Sequence, residues 1–251
     1  MKKFKVSSIE DNTNFFITRS YRELFKTFEG LKNTKGNIIH VIGAPGTGKS
    51  ANIYYALDNT DLNVYDVKFD LKDINASPKE VFNSLFESIA HDLKVKSKKE
   101  MYRELSKYDL VLIADNFHDS HFFGETPVGF SKWTDKNGFK AFYFYLLCIS
   151  EYLQHRKDFK KINIVFQTAW RIYIRGKKYD IFSNFGLLSN FIKIILKIFF
   201  QAVEISYSQM ETINIVKLHI KNADEVQIKI YIQKFGLRPR FICNALENDL
   251  K

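Results

Sequence analysis

At 251 residues, 45% hydrophobic and 16% aromatic, the sequence has the material for one large domain, or one domain with a small appendage, around a substantial core. Its formal charge of +10 suits a polyanionic partner, nucleic acid being the usual one, although the lysines are spread without a dense block and a merely solvated basic surface stays open. Two distant cysteines, Cys148 and Cys243, argue for buried thiols over a disulfide scaffold, and the basic start Met1-Lys2-Lys3-Phe4-Lys5 lacks the apolar stretch of a signal peptide, so a cytoplasmic setting is expected.

Residues 1–14 are polar and are expected to be partly disordered. Phe15-Phe16-Ile17 is a short apolar entry, after which Tyr21 to Leu31 has the period of an amphipathic helix with Leu24, Phe25, Phe28 and Leu31 inward. Beyond the turn at 33–37, Ile38-Ile39-His40-Val41-Ile42 has the length and β-branched content of a buried strand. It feeds Gly43-Ala44-Pro45-Gly46-Thr47-Gly48-Lys49-Ser50, which matches the phosphate-loop pattern G-x-x-x-x-G-K-[ST] at every fixed position. Gly43, Gly46 and Gly48 let the backbone take positive φ and approach a phosphate with no Cβ in the way. Loop amides and the N-terminus of the following helix then point at the anion. Lys49 would set a cation on the β- and γ-phosphates, and the Ser50 hydroxyl would ligate magnesium. A chance glycine-rich turn would lack these flanks, a strand before and the helical run Ala51 to Leu57 after, so binding of a nucleoside triphosphate is expected.

Leu62 to Leu71 alternates with period two, as a strand does. Ser77-Pro78 opens a helix with proline at its first position and Glu80 in its first turn; Val81, Leu85, Ile89 and Leu93 make its inner face. A lysine-rich linker and a short helix, Tyr102 to Lys107, lead to Leu110-Val111-Leu112-Ile113-Ala114-Asp115. An apolar run ending in an acid has the form of a Walker B strand, buried in a parallel sheet with a carboxylate at its carboxyl end. There Asp115 would hold magnesium through water, opposite Ser50. Asn116 follows; its amide can hold a water but cannot take its proton.

From Phe117 to Phe139 the pattern is a long polar and aromatic loop, expected to be exposed with aromatic tips and suited to a protein partner. A strongly aromatic helix runs from Phe139 to about His155, with Ala141, Phe142, Tyr145, Leu146, Ile149 and Leu153 in contact positions. Ile162 to Phe166 is a fourth strand ending in Gln167-Thr168, where either side chain could sense a γ-phosphate or be an ordinary polar strand end. Residues 181–203 are greasy but interrupted by Lys193 and Lys197, which fits a buried amphipathic helix and no membrane span. Ala202 to Tyr207 is a fifth strand. Ser208-x-x-Glu211 is a capping box for a helix to about Lys221, a second helix ends at Gly236, and a third opens near Pro239.

The phosphate loop, the strand ending in Asp115, the polar end of the fourth strand and the three terminal helices together resemble AAA+ and STAND-type P-loop ATPases, most of all the archaeal ATPases related to origin-recognition proteins. Arg19-Ser20-Tyr21-Arg22-Glu23-Leu24 is similar to the arginine, glutamate and leucine box that precedes the nucleotide pocket there, and Gly236-Leu237-Arg238-Pro239-Arg240 is similar to the start of the sensor 2 helix. The resemblance implies an α/β core with a five-stranded, mainly parallel sheet over residues 1–207 and a small helical lid over 208–251, with ATP and Mg2+ between them. It also implies that Phe15 to Ile17 touch the adenine and that Arg240 or Arg238 reaches the γ-phosphate.

The sequence departs from that family at informative positions. Asn116 stands where many members carry a glutamate that orients the attacking water. Arg171 and Arg175 lie early between strands four and five, with no arginine shortly before the fifth, so an arginine finger is not evident. The resemblance does not extend to the winged-helix domain with which origin-recognition proteins grip DNA. Slow hydrolysis and switching by binding are therefore expected, with Asp115, Asn116, Thr168 and Arg240 as the groups nearest the chemistry. DNA-linked action is one outcome, a signalling switch with a protein docked on loop 117–139 another. A small-molecule kinase is disfavoured because its lid would lie within the core.

Overall fold

The computed structural model describes residues 15–67, 71, 73–108, 110–114, 133, 136–137, 140–168, 171–174, 177–180 and 184–249. Residues 1–14, and with them the expected disordered start, lie outside the described residues.

Five strands form one parallel sheet: β1 (Ile38–Ile42), β2 (Asn63–Asp66), β3 (Leu110–Ala114), β4 (Asn163–Thr168) and a last strand, β7 (Gln201–Glu204), in the spatial order β2-β3-β4-β1-β7. β1 is thus paired on both edges, with β4 (Ile42 opposite Thr168) and with β7 (Ile42 opposite Glu204). All five coincide with the strands that hydrophobic patterning picks out. The described part of β2 is shorter than the alternation over 62–71 suggests. Between β4 and β7 the chain adds an antiparallel hairpin, β5 (Arg171–Ile174) with β6 (Lys177–Asp180), which the linear reading does not resolve.

Side-chain alternation along each strand assigns two cores. Ile39, Val41, Val64, Val111, Ile113, Val165 and Val203 face α1 (Arg19–Gly30) and α2 (Lys49–Asp58). Tyr65, Leu110, Leu112 and Ile164 face the opposite layer, built from α3 (Pro78–Leu93), α4 (Lys98–Lys107) and α5 (Ala141–Gln154). A short helix, α6 (Arg156–Phe159), follows α5, and α7 (Leu187–Phe199) rests Leu196 on Ile42 beside the sheet's β7 edge. The last three helices, α8 (Gln209–His219), α9 (Glu225–Phe235) and α10 (Pro239–Asp249), share a small apolar cluster of their own: Ile213, Val216, Ile228, Ile242 and Leu246. Ser77 with Glu80, and Ser208 with Glu211, form reciprocal capping boxes.

Three expectations need correction. Trp133, which lies in the loop 117–139 expected to be exposed, is fully buried, and its Nε1 donates to Ala76 O at 2.7 Å. The remainder of 117–139, apart from Lys136 and Asn137, lies outside the described residues. In α5 the contact face is shifted: Phe144 is buried and Tyr145, Leu147 and Cys148 pack, whereas Leu146, Ile149 and Leu153 are exposed. α5 is apolar around most of its circumference, so periodicity fits several registers and packing against α3 selects one. α7 departs furthest. The stretch 181–203 is expected to be a buried amphipathic helix with Ile192, Ile195, Leu196 and Phe199 off the lysine face; Leu196 is buried, but Ile195 and Phe199 face out with Leu187, Leu188, Phe191, Ile194 and Ile198. No helix among the described residues is long and apolar enough to cross a membrane. Cys148 and Cys243 are free and partly buried, and burial pushes their thiols up to about 12 and about 11.

Two polar groups tie this frame together and yield measurable consequences. Asn163, at the start of β4, accepts from Asn37 N (3.1 Å) and Asn37 Nδ2 (3.0 Å) and donates to Thr34 O (2.7 Å), fixing the turn that enters β1. Asn163→Ala would leave these groups short of partners in a buried place, so it should cost about 1–3 kcal/mol, read as a lower urea midpoint at unchanged slope. His40, on β1, stacks on Phe166 at 5.5 Å and meets Phe200 edge-on at 5.1 Å, and burial lowers its pKa to about 4. The unfolded chain then binds a proton, near pH 6.5, that the folded chain refuses. Stability should fall by up to about 3 kcal/mol as pH drops from about 6.5 towards 4. Denaturation at stepped pH should show that slope, and His40→Phe should remove it.

Candidate nucleotide-binding site

The loop Gly43–Ser50 leaves the carboxyl end of β1 and turns directly into α2, whose first residue is Lys49. Gly48 caps the helix at φ +72°, a left-handed conformation that strains a side-chain-bearing residue. A Cβ on Gly43 would lie 2.7 Å from Ile205 O, so only glycine lets the segment after β7 pass this close to the loop. Thr47 closes the turn, donating to Ala44 O from its amide (3.3 Å) and from Oγ1 (2.9 Å). The first-turn amides of α2 have no intrahelical partner, and unpaired amides at a helix N-terminus favour an anion.

Lys49 is 5% exposed, with Nζ donating to Gly43 O (2.9 Å) and Ala44 O (3.3 Å). The ammonium therefore sits at the heart of the loop, held by neutral carbonyls over which a phosphate oxygen would have a charge advantage. Ser50 Oγ donates to Gln167 Oε1 at 2.9 Å. Gln167 is thus the strand-four residue whose side chain meets the magnesium-ligand position of the motif. Thr168 ends β4 opposite Ile42, and its side chain lies outside the described residues, as do Asp115 and Asn116. β3 itself runs to Ala114, in register with Phe166, so the strand that leads to Asp115 ends on the same edge of the sheet as β4. Asp66, at the end of β2 and in register with Ile113, adds a carboxylate to that edge that no motif pointed to.

Tyr207, three residues past β7, is a site residue with no sequence signal. Its hydroxyl donates to Thr47 O (2.6 Å) and accepts from Asn52 Nδ2 (3.0 Å), and Asn52 Nδ2 also donates to Gly48 O (2.8 Å). Two loop carbonyls are thereby held from beneath by one phenol and one amide. Helix α10 closes over the other side: Arg240 N donates to Gly46 O at 3.3 Å, and the Phe241 ring lies 3.4 Å from where a Gly46 Cβ would stand. The Arg238 guanidinium lies 5.9 Å from the centre of that same ring. Of the two candidate arginines, Arg240 is the one whose backbone touches the loop.

The N-terminal box lies at the junction between sheet and terminal helices. Ser20 Oγ donates to Ser206 O (2.6 Å), Ser206 N donates back to Ser20 Oγ (3.2 Å), and Arg19 N donates to Glu211 Oε1 (2.9 Å). Phe15 stacks on Tyr55 of α2 at 4.0 Å, with Tyr21 edge-on to both, while Ile17 is exposed.

Removing one hydroxyl tests how far Tyr207 holds the loop. Tyr207→Phe leaves Thr47 O without its donor, so stability should drop by about 1–2 kcal/mol and ATP affinity by about five-fold. Thermal melting together with a fluorescent-ATP titration measures both. An unchanged affinity would make Tyr207 a residue of the fold alone.

No family model matches this chain, and no curated protein matches it. Among solved structures it is similar to the Walker-type ATPase PABY2304 of Pyrococcus abyssi, at 13% identity and a TM-score of 0.45. The match covers 91% of this chain and 65% of that one, so the chain spans about two thirds of that protein's length. What stands on this chain's own geometry is an α/β fold with a five-stranded parallel sheet and a phosphate loop at the carboxyl end of its inner strand β1.

Proposed function

We propose that the chain binds ATP with magnesium on Gly43–Ser50 and acts as a slowly hydrolysing, nucleotide-dependent switch in a DNA-linked process such as replication initiation. The observation that carries the reading is the loop, with Lys49 Nζ at its centre and Ser50 Oγ on Gln167, at a helix N-terminus. In this reading residues up to 207 form the nucleotide-binding core and Ser208 onward the lid, and Arg240 reports the γ-phosphate to α10. A magnesium ion takes oxygen donors, which suits the Ser50 hydroxyl and the Gln167 amide oxygen; Asp115 is the proposed carboxylate partner. The ion would supply charge neutralisation across the β- and γ-phosphates.

Slow turnover follows from Asn116, which positions a water without accepting its proton. The net charge of +10 supports a polyanionic partner for the switch. A STAND-type switch acting through a protein partner would show the same nucleotide behaviour with no response to DNA.

The decisive experiment measures ATP binding and turnover with and without duplex DNA, in the parent chain and in Lys49→Ala. Expected are loss of ATP binding in Lys49→Ala, turnover below about 1 per second in the parent, the low end for enzymes, and DNA affinity that falls steeply with salt. ATP binding unchanged in Lys49→Ala would sink the central claim. Tens of turnovers per second would sink the slow switch alone, and absence of DNA binding would move the assignment to the protein-partner form.

A further inference from the structure

Helix α7 is built the wrong way round for an isolated chain. Its inward side holds Ser189 and Leu196 buried and Ile192 and Lys193 half-buried. Its outward side presents Leu187 (88% exposed), Leu188, Phe191, Ile194, Ile195, Ile198 (70%) and Phe199 (73%). At 100° per residue these seven side chains fill one continuous arc pointing away from the sheet. Together they expose about as much as four complete apolar residues, roughly 700 Å2 when each large side chain counts 150–250 Å2. That exceeds the patch of about 300–600 Å2 that a monomer ordinarily leaves in water. It approaches the 800 Å2 or so that each side of a standard specific interface contributes.

We propose that α7 is the surface through which two copies of this chain pair, α7 against α7 across a two-fold axis. Three observations favour a second copy over other occupants. Leu187, Phe191, Ile194 and Ile198 recur at spacings of four, three and four, the stripe by which helices interdigitate, and an antiparallel two-fold lays such a stripe on itself. The stripe carries no charge: Lys193 is bound to Glu204 and Lys197 stands on the flank beside Asn190. Two chains of charge +10 repel over most of their surfaces, and a neutral apolar face is where they can approach without that penalty. A helix built to lie on lipid, in contrast, carries lysines or arginines along its polar face to meet headgroups, and α7 offers a single uncommitted flank position for one. Because Leu196 and Ile192 pack on Ile42, the residue before Gly43, the paired helices would stand one side chain behind the phosphate loop.

The test is the mass of the full chain in solution at micromolar concentration and high salt, by sedimentation or light scattering. The parent should appear at twice 29.5 kDa, and the double variant Ile194→Glu with Ile198→Glu at 29.5 kDa, a loss of at least about 100-fold in association, with far-UV circular dichroism unchanged and the concentration dependence of the parent's melting temperature abolished. As a second measurement that does not depend on charge insertion, Ile194→Cys should cross-link to itself under mild oxidant while the parent does not. A dimer that survives the double variant overturns the proposal by placing the interface elsewhere. A monomeric parent overturns it as well, and flotation of that monomer with phosphatidylglycerol vesicles, lost in the double variant, would name a lipid surface as the occupant.

Discussion

Pairing of β1 on both edges is the constraint on which the remaining architecture hangs. A parallel strand flanked by β4 and β7 has its backbone groups satisfied within the sheet and both faces covered, so its carboxyl end is held in place. The phosphate loop starts at that end. The directions of the loop's amides follow from where that strand end is held, and a loosely held strand end would blur them. Rigidity here comes from ladders and two apolar cores, one under α1 and α2 and one under α3, α4 and α5.

The same arrangement decides which side chains reach the loop. β4 lies between β1 and β3, so the end of β4, not that of β3, is the immediate neighbour of the loop strand. Gln167 meets Ser50 for that reason. On the other edge, β7 runs out to Ile205 and Tyr207, whose backbone and phenol press against Gly43 and Thr47. From Tyr207 the chain enters α8, and α10 comes back to lay Arg240 and Phe241 on Gly46. Sheet, loop and terminal helices are thus joined through a handful of hydrogen bonds, with Ser20 and Ser206 fastening α1 to the same joint. Each such bond contributes on the order of 1 kcal/mol.

Where linear pattern and structure disagree, the cause is packing choice among equivalent faces. α5 and α7 are apolar over so much of their surface that several registers satisfy a 3.6-residue period. α3 decides for α5, while the narrow strip formed by Ile42 and Ala202 leaves room for only the Leu196 side of α7. Trp133 is a related case. In a polar, glycine-bearing stretch an indole looks like a loop tip, yet Ala76 O supplies the acceptor that lets it bury completely. The β5–β6 hairpin is short and sits between stronger signals, and its pairing was legible only once both strands were placed side by side.

By itself the sequence determined the phosphate loop, the five strands, the capped starts of α3 and α8 and the glycine stop of α9. Each of these is a matter of local backbone chemistry within a few consecutive residues. Only the tertiary structure decided that Gln167 faces Ser50, that Tyr207 and Asn52 brace the loop from beneath, that Arg240 enters by its backbone, and that α7 turns its apolar face to solvent. Those contacts join residues up to 194 positions apart, from Gly46 to Arg240, and depend on strand order and on which helix face finds cover. Local periodicity carries no information on either.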